Sequence, residues 1–126
     1  MILAIDHGAV RELQLNRPPV NALSPELIAA LKKAVELAPQ DGARALVLSG
    51  MRGKFSAGLD IPLLLTLDRP AIADLWRELY ALLGALACSP IPIAAAITGH
   101  ATAGGTVLPI FCDCRVAAQE IGRAHV

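Results

Sequence analysis

The sequence predicts an α/β fold in which helices cover a sheet. Three observations carry that prediction. The runs "ALVLS" (Ala45–Ser49) and "IAAAIT" (Ile93–Thr98) are apolar without alternation, the pattern of strands covered on both faces. Two long segments with helical apolar spacing fall among the strand candidates. The order of elements reads β-β-α-β-α-β-α-β, with no exact internal repeat and no low-complexity tract.

Ile2–Asp6 and Val10–Leu15 read as a hairpin joined around His7-Gly8. The loop Asn16–Ala22, "NRPPVNA", is irregular, because two prolines fix φ and remove two donors. Ser24-Pro25-Glu26 starts a helix: Ser24 as N-cap, Pro25 at the first helical position, Glu26 toward the positive end of the dipole. That helix, Pro25–Leu37, lines up Leu27, Ile28, Leu31, Ala34 and Val35 on one face. After the strand Ala45–Ser49 comes a loop, "GKFSAGLDI", residues 53–61. The second helix, Ala71–Leu86, places Ile72, Leu75, Trp76, Leu79, Leu82 and Leu83 at helical spacing, so Trp76 is expected in the core. "CSPIP" breaks it, and Ile93–Thr98 is the next strand. Gly99–Gly105 is a second loop of small residues, Thr106–Cys112 a buried helix and Arg115–Ala118 the start of another strand. Pro109 inside that last helix removes a bond to the residue 105 carbonyl, at a cost of about 3 kcal/mol, so a kink or break is expected.

The 126 residues allow one domain at most. They are 55% hydrophobic, 3% aromatic and 17% charged, with mean hydropathy +0.55. A small independent domain carries more polar surface than that. The composition points to a piece of a larger fold, or to a chain that buries much of itself in an oligomer. Net charge is zero, so phosphate neutralisation has little to work with and nucleic acid is not an expected partner. Cys88, Cys112 and Cys114 have no zinc spacing and no nearby His; they are expected as reduced, half-buried core thiols of a cytoplasmic protein, with no metal bound. No charged stretch precedes an apolar core at the start, so no signal peptide is expected, and the longest apolar run, Ile91–Thr98, is too short to span a bilayer, so no membrane association is expected.

The two small-residue loops pose the functional question. "SAG" at 56–58 and "ATAGG" at 101–105 each follow a covered strand. One reading is that small residues merely pack loops against strands. The other is access: without side chains, a ligand oxygen can approach the backbone closely. The second loop opens a helix, whose first N–H groups are unpaired and sit at the positive end of a dipole. Two N–H donors converging from separate loops would form an oxyanion hole, stabilising negative charge on a carbonyl oxygen.

Three stretches, in this order and spacing, carry a resemblance: "LNRPPVNALS", "GKFSAGLDI" and "AAITGHATAGGTVLPIFCDCRVAA". Together they resemble the crotonase (enoyl-CoA hydratase/isomerase) superfamily over about Ile2–Glu120. The resemblance implies a crotonase-like spiral of ββα units, here truncated at its C-terminal side, with residues 1–120 as the N-terminal part of the core domain. It implies an acyl-CoA thioester as substrate, with coenzyme A part of that substrate and no separate cofactor. It implies a homotrimer or a dimer of trimers for the parent protein. By position, the oxyanion donors would be the N–H groups of Leu59 and Gly104. Ala57, Asp60 and Ile61 fall where the family contacts CoA, and Val20 and Ala22 fall near the pantetheine and adenine path.

Members of that family differ mainly in their carboxylates. Hydration in that family uses two glutamates, one of them two residues beyond the second glycine of the oxyanion loop; here that residue is Val107, and Gly104–Phe111 holds no acid. An apolar residue there is similar to the Δ3,Δ2-enoyl-CoA isomerases, which move a proton with a single glutamate on the loop after the strand beginning at Arg115. The sequence is expected to stop short of that glutamate, leaving this chain inactive. Other crotonase-type acyl-CoA chemistry and a non-catalytic acyl-CoA-binding remnant are the alternatives. Asp60 and Asp113 are expected to be structural. A serine hydrolase built on Ser56, His100 and Asp60 is disfavoured, because Ser56 is one residue off the nucleophile-elbow spacing. His100 reads as a loop histidine bonded to backbone, or else as a lining residue touching the acyl chain. The last six residues, "IGRAHV" (121–126), fit no part of the pattern and are expected to be a non-native tail, one reverse translation of "EIGRAHV" resembling a sequencing adapter.

Overall fold

The computed structural model describes residues 1–119. The expected tail at 121–126 lies outside the described residues. The chain forms β1 (Ile2–His7), β2 (Val10–Leu15), α1 (Pro25–Gln40), β3 (Ala45–Ser49), β4 (Gly53–Ser56), α2 (Ile61–Leu64), α3 (Arg69–Ala87), β5 (Ile93–Ile97), β6 (Gly99–Ala101), α4 (Gly104–Ile110) and β7 (Cys114–Ala117). This is a ββα rhythm repeated three times, with a further strand begun.

The strands divide by their place in the repeat. β1, β2, β3, β5 and β7 form a sheet in that order, with β1 antiparallel to β2 and the rest parallel. β4 and β6, the second strands of their units, pair with each other in a separate two-stranded sheet. The sequence predicts loops over these segments; the structure forms two short strands there and the short helix α2. Their residues explain the miss: GKFS and GHA are too short and too mixed to carry an apolar periodicity.

Helices α1 and α3 close one face of the large sheet. Leu13, Leu15, Leu46, Leu48, Ile93 and Ala95 bury with Leu27, Ile28, Leu31 and Val35 of α1 and with Leu75, Leu79, Leu82 and Leu86 of α3. Ser24 caps α1, its hydroxyl accepting from Leu27 N–H at 3.1 Å, as the sequence indicates. The helix runs past Leu37 to Gln40, keeping Ala38 buried, and ends where Gly42 takes φ +89°. Asp68 caps α3 by accepting from Ala71 N–H at 3.0 Å. Trp76 is not core: it is 40% exposed and lies beside Tyr80, ring centroids 6.1 Å apart. The stripe 75/79/82/83/86 takes the inward line, which puts Trp76 on its flank. Pro109 leaves α4 unbroken; the helix passes through it and stops at Ile110, with Phe111 and Cys112 N–H closing tighter turns onto Leu108 and Pro109 carbonyls.

The other face of the large sheet is less covered than the apolar runs suggest. Val47, Ala94 and Ala96 are half-buried, while Leu3, Ile5 and Val116 on the flanking strands are exposed, Val116 at 69%. A single polar cluster interrupts this face: Glu12 accepts from the Ser49 hydroxyl at 2.5 Å and meets His7 at 2.9 Å. Those two contacts, Ser49 first, hold Glu12 below the usual carboxylate range.

The cysteines split. Cys112 is buried against the Leu108 carbonyl, and burial pushes its thiol up to about 11, whereas Cys88 and Cys114 are exposed rather than core. Ellman's reagent added to the native chain is therefore expected to titrate Cys88 and Cys114 rapidly and Cys112 only on unfolding; equal rates for all three would contradict the burial. The half-open sheet face and the β7 edge also predict self-association. Size-exclusion chromatography should show a species above monomer mass that grows with concentration. A monodisperse monomer with a sharp cooperative melt would instead make the chain a self-sufficient domain.

Candidate active site

The site forms where three loops meet, and glycine geometry shows why they carry so little side chain. Gly58 has φ +85°, the left-handed region where Cβ-bearing residues are strained. A Cβ there would sit 2.7 Å from Gly104 N and 3.0 Å from Thr102 O. A Cβ on Gly105 would collide with the Ser56 carbonyl. The small residues thus serve packing, loop against loop, backbone to backbone. The same contact brings the backbone amides of the two loops close together.

Most N–H groups of the first loop are donated internally. Ala57 N–H goes to Val20 O at 3.0 Å, Gly58 N–H to Ser56 Oγ at 3.1 Å and Asp60 N–H to Leu23 O at 3.1 Å. In the second, Thr102 N–H goes to Ser56 O at 3.1 Å and Gly105 N–H to Thr102 O at 2.8 Å. Among the described residues, no acceptor takes the N–H of Leu59 or of Gly104. Leu59 N lies 3.6 Å from where a Gly104 Cβ would be. The N···Cβ distance within a residue is about 2.5 Å, so the two nitrogens are at most about 6 Å apart. Two donor nitrogens no farther apart than about twice a hydrogen-bond length, about 6 Å, are within reach of one shared oxygen.

Beside them runs an open groove of about 410 Å³. One wall is the loop Arg17–Ala22 and the other the stretch Ala57–Pro62. It brings together every residue the sequence placed on the CoA path: Val20, Ala22, Ala57, Asp60 and Ile61, with Leu59 among them. A smaller recess of about 230 Å³ adjoins it through Val20 and Ala57 and is lined also by Lys54, Ser56, His100 and Thr102. His100 stands on β6 opposite Lys54 of β4.

The loop Asn16–Ala22 keeps its shape through Asn21, a residue the sequence reading passed over. Asn21 is fully buried with φ +54°, a conformation asparagine tolerates better than most. Its amide donates to Leu15 O at 2.9 Å and Phe55 O at 3.0 Å, and its Oδ1 accepts from Arg17 N–H at 2.6 Å. It therefore ties β2, β4 and the groove wall together. The Pro18–Pro19 bond is cis.

The candidate side chains have structural work. Ser56 is buried, donating to Asn21 O at 2.7 Å while accepting from Gly58 N–H, so its hydroxyl is committed. Asp60 caps α2 by accepting from Leu63 N–H at 3.2 Å and pairs with Arg17 at 2.9 Å. Asp113 accepts from Ile93 N–H at 2.7 Å, clamping the entry to β7 onto β5. Val107 packs half-buried against the core. None of these is a poised nucleophile or base, and the hydrolase reading loses both its serine and its acid.

Parallel ββα units over a helix-covered sheet, with two unpaired amides meeting at their loops, define a crotonase-like fold. The chain belongs to the enoyl-CoA hydratase/isomerase family, which its sequence matches over residues 6–122. It is 39% identical over 113 residues to echA6 of Mycobacterium bovis, named a probable enoyl-CoA hydratase, spanning 89% of this chain and 44% of that protein. It is 36% identical over 110 residues to EchA17 of Mycobacterium tuberculosis, named likewise, spanning 86% and 42%. Among solved structures it superposes on human mitochondrial Δ3-Δ2-enoyl-CoA isomerase with a TM-score of 0.84 at 32% identity, covering 90% of this chain and 46% of that one. An enoyl-CoA hydratase from Bacillus anthracis gives 0.87 at 27% identity, covering 95% and 48%. The chain thus spans about half the length of these relatives. Among the described residues no helix is long and apolar enough to cross a membrane.

The loop contact yields a direct test. Gly58→Ala should drive the 56–60 and 102–105 loops apart and lower the melting temperature, whereas Ala57→Gly, at an exposed position beside it, should change little. Equal melts for the two variants would contradict the backbone contact.

Proposed function

We propose that this chain supplies the thioester-binding and oxyanion-binding half of an enoyl-CoA isomerase. The observation that carries the reading is the convergence of two unspent amides, Leu59 and Gly104, at the edge of a groove holding all the residues expected on the CoA path. A thioester carbonyl oxygen placed between these donors would gain negative charge as a proton leaves C2, and fixed N–H dipoles stabilise that charge without reorganising. The double bond then shifts from C3–C4 to C2–C3 as a proton returns at C4, with no net change in composition.

Val107 supports isomerisation over hydration. It stands where a water-activating glutamate is expected, and Gly104–Phe111 offers no acid in its place. The hydratase names of the mycobacterial relatives favour the alternative, hydration of an enoyl thioester, which would need carboxylates supplied from elsewhere. A non-catalytic acyl-CoA-binding module is the third reading. Proton transfer needs a positioned base, a contribution of about 10²–10⁴-fold. Asp60 and Asp113 are both engaged in structural bonds and are not candidates for it.

The test is an assay of a whole enzyme carrying these residues on 3-enoyl-CoA and on trans-2-enoyl-CoA. Isomerisation should dominate; hydration faster than isomerisation would overturn the isomerase reading. The 126-residue chain alone is expected to bind acyl-CoA without turnover. In the whole enzyme, Gly104→Pro should remove one donor and cost on the order of 10²–10³ in kcat. Leu59→Ala should cost far less, because only its backbone is used. Equal and severe losses from both would show that the Leu59 side chain acts in the reaction.

A further inference from the structure

We infer that Arg17 is a positioning residue for the Leu59 amide, acting through Asp60 and Ala22. The inference rests on the oxyanion reading above and assigns the part of the chain that sets one donor's direction.

The geometry begins with planarity. The Gly58–Leu59 peptide is trans, so its C=O and N–H point in opposite directions. Gly58 O accepts from Leu23 N–H at 2.7 Å, which turns the Leu59 N–H away from the Leu23 backbone. The next peptide is fixed as well, because Asp60 N–H donates to Leu23 O at 3.1 Å. Leu23 and Leu59 thus form an isolated parallel bridge, and the direction of the donor depends on that bridge holding.

Arg17 holds both flanks of the bridge. Its Nη1 donates to the carbonyl of Ala22, the residue before Leu23, at 3.1 Å. Its Nη2 pairs at 2.9 Å with the carboxylate of Asp60, the residue after Leu59. A planar guanidinium can make these two contacts at once; a lysine ammonium on a flexible stem has no such fork. Arg17 is itself fixed, its backbone N–H to Asn21 Oδ1 and its carbonyl accepting from Asn21 N–H at 2.9 Å. Asp60 is fixed from the other side by Leu63 N–H. The fork therefore fastens the two groove walls at the point where the donor is carried.

The test reads carbonyl polarisation rather than turnover. The full chain is saturated with butanoyl-CoA, isotope-labelled at its thioester carbonyl, and the bound C=O stretch is followed by infrared difference spectroscopy. The wild-type chain should shift the band to lower frequency, and Gly104→Pro should lose much of that shift. Arg17→Met should lose it comparably while still binding, and Arg17→Lys should be intermediate. A full shift in ligand-bound Arg17→Met, with Gly104→Pro still impaired, would overturn the role of Arg17 and leave the oxyanion reading standing. No shift in the wild-type chain would overturn both. Should Arg17→Met fail to fold, Asp60→Asn decides: it keeps the α2 cap acceptor and the side-chain volume but weakens the ion pair. A reduced shift supports the inference, and an undiminished one overturns it.

Discussion

Everything at this site depends on two backbones touching. Gly58 and Gly104 approach so closely that a Cβ on Gly58 would overlap an amide nitrogen of the other loop. Such contact is available only where side chains are missing and where φ is positive at one partner. The two-stranded β4–β6 sheet brings the loops to that distance, and it too depends on glycine, since a Cβ on Gly99 would collide with the Gly53 backbone. The small sheet is better regarded as a spacer that sets the separation of two loops than as part of the core. Its only large inward side chain is Phe55, fully buried, which anchors the spacer to the main cluster.

Backbone contact alone would leave the loops with unsatisfied polar groups, and the polar side chains around the site answer that need. Asn21, Ser56 and Asp60 each bond to backbone on a different segment, so the first strand pair, the first loop and α2 are joined. Removing one such buried partner leaves a carbonyl or amide without a bond, at a cost of about 1–3 kcal/mol. That explains why polar residues sit at the most buried part of a strongly apolar chain. They hold other groups still, and the chemistry proposed here falls to main-chain N–H groups.

The sequence made the large elements legible and hid the small ones. Ser24-Pro25 and the 27/28/31/35 stripe specify α1, and Ala45–Ser49 specifies β3, because each has a cap or an apolar run long enough to read. β4 and β6 escaped because three- and four-residue strands rich in glycine have no pattern, and their pairing is non-local. Trp76 misled because helical spacing marks a stripe wider than the line that is finally buried. The site was legible as two small-residue loops and, through resemblance, as named positions. Arg17 was not, because its partner lies far along the chain. The signal available was a mismatch: Asp60 is a lone acid in one loop, and Arg17 a lone cation in the other.

That pairing bears on how a half-length chain holds a defined site. The donors, the groove and their fastenings all come from residues 17–23, 54–63 and 99–105, which the first three ββα units bring together. Residues 54–63 are bonded to both of the other segments. The oxygen binding proposed above is therefore local to the part of the fold described here. Proton transfer makes a different demand, since a base must reach the carbon atoms beyond the carbonyl and cannot already be engaged in the framework. Asp60, the carboxylate that lines the groove, is so engaged, by Arg17 and the α2 cap. Freeing it would loosen the groove wall that carries the Leu59 amide. A base drawn from a separate segment resolves this conflict, because it can be placed over the substrate without carrying any part of the frame.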